Sequence, residues 1–268
     1  MTLIDRGSGD AVLVLPGVQG RWEWHARGID ALATRCRVLT FSYADEPGGD
    51  APFDPERCLD SYVAQAAEAV RRCGAAPVTV CGISYGGLVA ALFAARHPRL
   101  VRSLVLASAV APGWTPNERV RLYLKAPLLF TPLFLVASLR MWTEIRAASI
   151  GALPAARQAI AHAWNALTHM FAPTRMARRA AQMARTDVAA EIAAIEQRTL
   201  IVVGEAHLDF VVPVAHTLRY RQLLPGAEVV TLRHTGHIGC ITRPEAFAEL
   251  VASYAAQGST PLKRTSIG

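Results

Sequence analysis

The sequence lacks the close ligand pairs and phosphate-binding loops that most metal- and nucleotide-dependent enzymes carry. It contains no Cys-x-x-Cys and no His-x-x-x-His pair, so a metal site built on neighbouring ligands has little support. It also lacks a Gly-x-x-x-x-Gly-Lys-Ser/Thr loop, and its most glycine-rich motif, "GISYGG", is not Gly-x-Gly-x-x-Gly. We therefore expect no metal and no nucleotide cofactor.

Long apolar runs and a cysteine framework are also missing. No stretch reaches the roughly 20 apolar residues of a membrane span, and the charged segment Met1 to Asp10 does not resemble a secretory signal. The five cysteines are odd in number and have no regular spacing, which favours reduced thiols over disulfides. These features predict a soluble, cytoplasmic protein, and they leave its oligomeric state open.

Acidic residues are scarce in one part of the chain. The net charge is +7, yet residues 112–185 alone hold ten Arg and Lys against only Glu118 and Glu144, a balance of +8. The remainder of the chain is therefore close to neutral. A basic surplus confined to one segment indicates attraction of a substrate or a surface, and we expect no nucleic-acid partner.

What the sequence has in abundance is apolar residues, 52% of the total, enough for a large core. Short Val- and Leu-rich runs alternate with longer segments whose apolar residues recur at helical spacing. This alternation predicts an α/β fold with a mostly parallel sheet flanked by helices. The predicted strands are Ala11–Leu15, Val38–Phe41, Val78–Cys81, Leu104–Ala107, Leu200–Val203 and Glu228–Leu232. The predicted helices lie near Arg21–Thr34, Pro55–Cys73, Leu88–Arg96, Pro213–Leu223 and Pro244–Ala256.

The alternation stops between Pro112 and Arg185, where several prolines separate helix-forming stretches and no strand is evident. We call residues 112–185 the cap segment and expect it to lie over the carboxyl edge of the sheet, where open α/β folds bind ligands. Residues 1–111 and 186–257 then form the core, and residues 258–268 are predicted to be a flexible tail.

The stretch "VTVCGISYGG" places Ser84 between a strand and a helix. A sharp turn of this kind strains its central residue and crowds the positions two before and two after it, here Gly82 and Gly86. The turn exposes the serine hydroxyl and puts the N–H of Tyr85 at a helix start, where an oxyanion is stabilised. Ser84 is therefore the candidate nucleophile, and Tyr85 a candidate oxyanion donor.

With "GISYGG" as nucleophile elbow and "VLVLPGVQG" as the turn after an early strand, the sequence resembles the α/β-hydrolase family. The resemblance covers most of residues 11–254 and implies a helical cap and a base downstream of Ser84. In "RHTGHIGC" it favours His237, which follows Gly236, over His234. A serine hydroxyl needs such a base to remove its proton.

The resemblance also implies an acid in "LIVVGEAHLDFVVP", between the nucleophile and the base. Asp209 lies four residues before Pro213, as in the family pattern. Gly204, however, stands two residues further upstream than usual, so Glu205 is a second candidate. We favour Asp209 and keep Glu205 as the alternative.

A second oxyanion donor is expected from the N–H of Val18, in the loop after the strand Ala11–Leu15. Family members usually carry His-Gly there, whereas this chain has Pro16-Gly17. The glycine that allows the inward turn is kept, but the side chain that would hold the loop is replaced. Gln19 and Trp22 follow and are candidate substrate-binding residues.

These residues predict a serine hydrolase that cleaves an ester of an apolar or amphipathic small molecule. An acyltransferase with the same triad and a catalytically weak ligand-binding protein are the alternatives. In the cap segment, Arg175, Arg178 and Arg179 fall on one helical face. That face is either simply solvated or attracts an anionic substrate or an acidic membrane surface.

Overall fold

The computed structural model describes residues 1–170 and 172–257, and within them seven strands form one sheet. The predicted tail, residues 258–268, lies outside the described residues. The strand order is β1-β3-β2-β4-β5-β6-β7; β1 is antiparallel to β3, and the other neighbours are parallel. The strands are β1 Leu3–Arg6, β2 Ala11–Leu15, β3 Arg37–Phe41, β4 Val78–Ile83, β5 Val101–Ala107, β6 Arg198–Val203 and β7 Glu228–Thr231.

The predicted α/β class is confirmed, and β1 is the strand that the sequence did not reveal. Its four residues, Leu-Ile-Asp-Arg, include only two apolar side chains, and half of the strand is exposed. Because β1 lies at the edge of the sheet, it pairs with one neighbour and needs no continuous apolar run. The apolar pattern used for the buried parallel strands therefore does not detect it.

Alternate residues of β2 enter two separate cores, as the two-residue period of a strand requires. Leu13 and Leu15 join a core that includes helices α2 and α3, whereas Val12 and Val14 join one that includes α1 and α13. All four are buried, which explains the unbroken Val/Leu run. These helices are α1 Ala26–Ala33, α2 Cys58–Arg72, α3 Tyr85–Arg96 and α13 Pro244–Gln257.

The cap segment contains five helices among its described residues. They are α4 Glu118–Lys125, α5 Pro127–Ser138, α6 Met141–Ala148, α7 Ala152–Thr168 and α8 Pro173–Arg185. Two of them, α7 and α8, contact the chain at the carboxyl edge of the sheet, through hydrogen bonds from Gln158 to Thr242, from Asn165 to Glu23 and from Arg179 to Val18. These contacts attach α7 and α8 to the chain around Thr242, Glu23 and Val18.

The remaining short helices are α9 Ala189–Ala193, α10 Val214–Thr217, α11 Tyr220–Leu223 and α12 Gly239–Thr242. The single helix predicted near Pro213–Leu223 is thus wrong in detail, because it is divided into α10 and α11. Between them the N–H of Arg219 donates to the carbonyl of His216, and that of Arg221 to Leu218. These three-residue spacings tighten the backbone and end the α-helix.

Candidate active site

Ser84 lies at the turn from β4 to α3 in a strained backbone conformation, with φ 54° and ψ −118°. A positive φ is costly for a residue with a side chain and persists only where surrounding contacts hold it. Here the Ser84 N–H donates to the carbonyl of Ala107 at 2.9 Å, and its carbonyl accepts from the N–H of Val110 at 3.2 Å. The end of β5 and the chain directly after it therefore hold the turn in place.

The glycines on either side of Ser84 are required by close backbone contacts. A Cβ atom at Gly82 would overlap the backbone of Gly86 and Gly87, and one at Gly86 would overlap the carbonyl oxygens of Leu15 and Pro16. Only glycine fits both positions. The packing gives the physical reason for the Gly-x-Ser-x-Gly spacing.

The structure brings Ser84, His237 and Asp209 together although they are far apart in the sequence. Ser84 Oγ lies 3.0 Å from His237 Nε2, and His237 Nδ1 lies 3.4 Å from Asp209 Oδ2. The other carboxylate oxygen of Asp209 accepts the N–H groups of Val211 and Val212, at 3.0 and 2.9 Å. The carboxylate is thereby oriented, and Asp209 and Ser84 are both buried.

The two alternative residues lie elsewhere. Glu205 Oε1 accepts the backbone N–H of His234 at 2.9 Å, and its other oxygen lies 3.7 Å from Nε2 of His207. His234 is exposed and has a positive φ of 60°. The contact between Glu205 and the His234 backbone stabilises the turn before His237. His237 is the histidine whose ring lies within hydrogen-bond distance of Ser84.

Side chains from three parts of the chain hold the loop Pro16-Gly17-Val18 beside Ser84. The hydroxyl of Tyr43 donates to the Pro16 carbonyl at 2.8 Å, and the Gly17 N–H donates to His25 Nε2 at 3.0 Å. Arg179 Nη1 donates to the Val18 carbonyl at 2.9 Å. From the sequence, replacement of the family's histidine by Pro16 removes a support of this loop. In the structure, side chains from outside the loop supply that support.

His25 can accept the Gly17 N–H only while its Nε2 carries no proton. Burial, together with the nearby His237 and His162, lowers the pKa of His25 to about 3. His25 is therefore neutral at physiological pH, with its proton on Nδ1. Sequence reasoning missed it because an isolated histidine in a helical stretch has an ordinary structural explanation.

Arg179 is fully buried, which corrects the expectation that it belongs to a solvated or ligand-attracting basic face. Its guanidinium lies 2.5 Å from an Asp45 oxygen and 2.7 Å from a Glu46 oxygen. Arg175 also pairs with Glu46, at 2.9 Å, whereas Arg178 is exposed. Two of the three arginines thus neutralise core carboxylates, because this face of α8 packs on the core.

A second buried charge from the cap segment lies next to His237. Glu144 on α6 is almost completely buried, and its carboxylate accepts the N–H of Ile238 at 3.1 Å and the hydroxyl of Thr242 at 3.2 Å. Burial raises the pKa of Glu144, although the Ile238 N–H acts in the opposite direction. In the sequence, the only signal that Glu144 has a special role was that it is one of two carboxylates in a basic segment.

The two candidate substrate-binding residues are placed differently. A Cβ atom added to Gly17 would lie 3.0 Å from Gln19 Oε1 and 3.7 Å from Ser84 Cβ, so Gln19 and Ser84 both border Gly17. Trp22 instead packs against the core and under the guanidinium of Arg6, 5.2 Å from the ring centre. Gln19 therefore lies at the site, and the contacts of Trp22 are those of a packing residue.

Two features that would indicate other functions are absent from the part of the chain that the structure describes. Within residues 1–170 and 172–257, no three His, Cys, Asp or Glu side chains are grouped so that they could hold a metal ion. Over the same ranges, no helix combines the length and apolar character needed to cross a bilayer.

Comparison with known proteins gives consistent matches. A family model described as the alpha/beta hydrolase family matches residues 12–250. A pyrrolizixenacetamide deacetylase from Xenorhabdus hominickii is 28% identical over 203 residues, which cover 76% of this chain and 73% of that protein. A pimeloyl-(acyl-carrier protein) methyl ester esterase from Neisseria meningitidis is 45% identical over 89 residues, 33% of each chain.

The structural match is more extensive than the sequence match. An esterase from Exiguobacterium antarcticum superposes with a TM-score of 0.79 at 21% identity, covering 95% of this chain and 94% of that one. At this identity the superposition shows a shared fold.

Proposed function

The chain belongs to the alpha/beta hydrolase family, and from this premise we propose that it is a serine hydrolase that cleaves carboxylic esters through an acyl-enzyme. The observation that carries the proposal is the 3.0 Å contact between Ser84 Oγ and His237 Nε2. This distance allows direct proton transfer from a nucleophile to a base. A methyl ester esterase among the relatives supports an ester as the scissile group.

In the proposed acylation step, Ser84 Oγ attacks the ester carbonyl carbon and its proton passes to His237 Nε2. The tetrahedral intermediate then collapses, the bond to the alcohol oxygen breaks, and that oxygen takes the proton from Nε2. The Nδ1 proton of His237 faces Asp209, so the carboxylate selects the tautomer and stabilises the imidazolium that forms in between.

Deacylation repeats the same transfers with water as the nucleophile. His237 Nε2 takes a proton from the water as its oxygen attacks the acyl carbon, and returns that proton to Ser84 Oγ when the acid leaves. In both steps the N–H groups of Val18 and Tyr85 are proposed to stabilise the negative oxygen. The bonds that hold the Val18 loop from Tyr43, His25 and Arg179 support a preorganised donor.

The proposed substrate is a small apolar or amphipathic ester. In the cap segment, Tyr123, Met176 and Ala177 form an apolar cluster that contacts Val18. This cluster is buried and makes the flank of the oxyanion loop apolar, which favours an apolar acyl group over acetate. A cytoplasmic location is also proposed, since all five cysteines carry free thiols.

The test is active-site labelling with a fluorophosphonate, followed by mass measurement of the intact protein. We expect one label per chain in the unmodified protein and none in Ser84→Ala. Hydrolysis of a chromogenic butyrate ester should fall on the order of 10³-fold or more in Ser84→Ala and in His237→Ala.

Ser108→Ala is a matched control, because Ser108 is also buried, has a positive φ of 43° and follows the neighbouring strand β5. It should keep the label and most of the esterase activity. Folded, unmodified protein that takes up no label would overturn the proposal, and so would labelling that persists in Ser84→Ala.

A further inference from the structure

Helix α7 directs its large apolar side chains outward, unlike an ordinary surface helix. Leu153, Ile160 and Trp164 are 65%, 69% and 68% exposed. Together with Arg157 and Leu167 they recur at spacings of three and four residues, so they form one outward stripe. We call these five residues the α7 stripe.

The inner face of α7 combines small apolar residues with polar ones: Ala155 is buried in the core, and Ala159 packs against it. The side-chain amide of Gln158 donates to the carbonyl of Thr242 at 3.2 Å, and that of Asn165 to the carbonyl of Glu23 at 2.8 Å. His162 packs edge-on against Trp24, with ring centres 5.8 Å apart. These specific contacts fix the rotation of the helix about its axis, with the α7 stripe facing outward.

A surface with several large exposed apolar side chains usually marks an interaction site. Further exposed apolar residues lie elsewhere in the cap segment, on α5 and directly after it, where Leu128, Leu129, Val136 and Leu139 are each more than half exposed. Exposing apolar side chains to water is unfavourable in free energy, and such exposure is typical of surfaces that a partner covers.

The exposed charges of the sequence range that contains these residues have a single sign. Residues 126–170 contain one carboxylate, Glu144, and it is buried. The arginines of the same range, Arg140, Arg146 and Arg157, are all exposed. A partner that fits this surface must therefore offer an apolar region that side chains can enter, together with negative charge.

A second copy of the chain fits poorly, because a symmetric contact would bring the same arginines together without an exposed carboxylate from this range to pair them. An anionic bilayer supplies both requirements. Its headgroup region attracts arginine, admits apolar side chains and accommodates tryptophan at the boundary between water and lipid.

We propose that the α7 stripe docks on the anionic surface of a membrane, with α7 lying in the plane of the headgroups. From Leu153 to Leu167 the stripe spans about 20 Å along the helix, long enough for a surface-bound amphipathic segment. This proposal does not depend on the proposed esterase activity, since docking needs only the exposed surface.

The test is flotation of the full-length protein with vesicles of phosphatidylcholine alone, or of phosphatidylcholine with roughly one third phosphatidylglycerol. We expect binding to the anionic vesicles that weakens as salt rises, because salt screens the arginines. Ile160→Gln/Trp164→Gln should weaken binding by about tenfold or more. Arg157→Gln should weaken it by about fivefold on anionic vesicles only.

Two exposed core positions provide controls: Arg72→Gln at the end of α2 matches the charge change, and Val229→Gln on β7 matches the apolar change. Both should bind like the unmodified protein, and thermal unfolding checks that every variant is folded. Failure of the unmodified protein to bind anionic vesicles would overturn the proposal. So would a dimer, detected by light scattering, that Ile160→Gln/Trp164→Gln converts to monomer, because the stripe would then bind a second copy.

Discussion

Arg179 on α8 and Val18 in the loop after β2 are joined by a hydrogen bond of 2.9 Å from Nη1 to the Val18 carbonyl. The same guanidinium binds Asp45 and Glu46, so its position is fixed independently of the loop. Because a restrained carbonyl limits rotation of the Val18 backbone, a helix of the cap segment positions the proposed oxyanion donor. Arg179 is thus a positioning residue that does not touch the reacting atoms.

We predict that Arg179→Met lowers the free energy of unfolding by about 3–5 kcal/mol, because it leaves buried carboxylates without their partner. Urea denaturation at neutral pH measures the loss. Adding Asp45→Asn and Glu46→Gln to the same chain should recover a large part of it, since the unpaired charge is then removed. No recovery would show that packing, and not charge, causes the loss.

The neighbouring Arg178 supplies the control for this prediction, because it is exposed on the same helix. Arg178→Met should change the free energy of unfolding by no more than about 0.5 kcal/mol. If the two arginine variants lost similar stability, the buried ion pairs would not stabilise the fold in the way described here.

A second prediction concerns pH and His25, whose pKa burial lowers to about 3. In the unfolded chain a histidine has a pKa near 6.5, so between pH 6.5 and pH 3 the unfolded state binds more protons. The stability from neutral His25 is therefore complete above pH 6.5 and is lost as pH falls toward 3. By pH 5 this loss amounts to about 2 kcal/mol.

His25→Gln isolates that contribution, because glutamine can accept the Gly17 N–H but does not titrate in this range. Urea unfolding at pH 7.5 and pH 5 should show that the unmodified protein loses about 2 kcal/mol more than the variant. Equal losses in the two proteins would mean that His25 is already protonated or exposed in the folded state.

The parts of the fold that could be predicted from the sequence are those in which local pattern and burial agree. Strands β2 and β4 are covered on both faces, so each is a continuous apolar run. Ser84 was identifiable because its turn excludes side chains at Gly82 and Gly86. Close packing of the backbone thus requires glycines at a fixed spacing, and that spacing is visible in the sequence.

Polar residues that are buried by partners far away in the sequence produce no such local pattern. Arg179 and Asp45 are 134 positions apart, and only the folded chain brings them together. Arg179 therefore looks like any other arginine on a basic helix, and the same holds for Glu144 beside Ile238. Periodicity identifies apolar faces, but it cannot tell a solvated charge from a buried, paired one.

Glu144 gives a third prediction. Glu144→Ala leaves the N–H of Ile238 without its acceptor, which should cost about 1–3 kcal/mol in urea unfolding and lower kcat, since Ile238 follows His237 directly. Glu144→Gln should be milder, because the amide oxygen still accepts and no charge is buried. Glu118→Ala removes the other, exposed carboxylate of the cap segment and should leave both quantities unchanged.

The last prediction separates the two candidate acids. Asp209→Asn should lower kcat for a chromogenic ester on the order of 10³-fold or more, while KM changes little. The reason is that the carboxylate acts on the imidazolium, which forms only as Ser84 attacks. Glu205→Gln should stay within about threefold of the unmodified protein. Its acceptor role toward the His234 N–H can be taken over by the amide oxygen. The reverse pattern, a severe Glu205→Gln and a mild Asp209→Asn, would assign the acid to Glu205. It would also require the turn after β6 to rearrange when substrate binds, because in this structure the oxygen 3.4 Å from His237 Nδ1 belongs to Asp209.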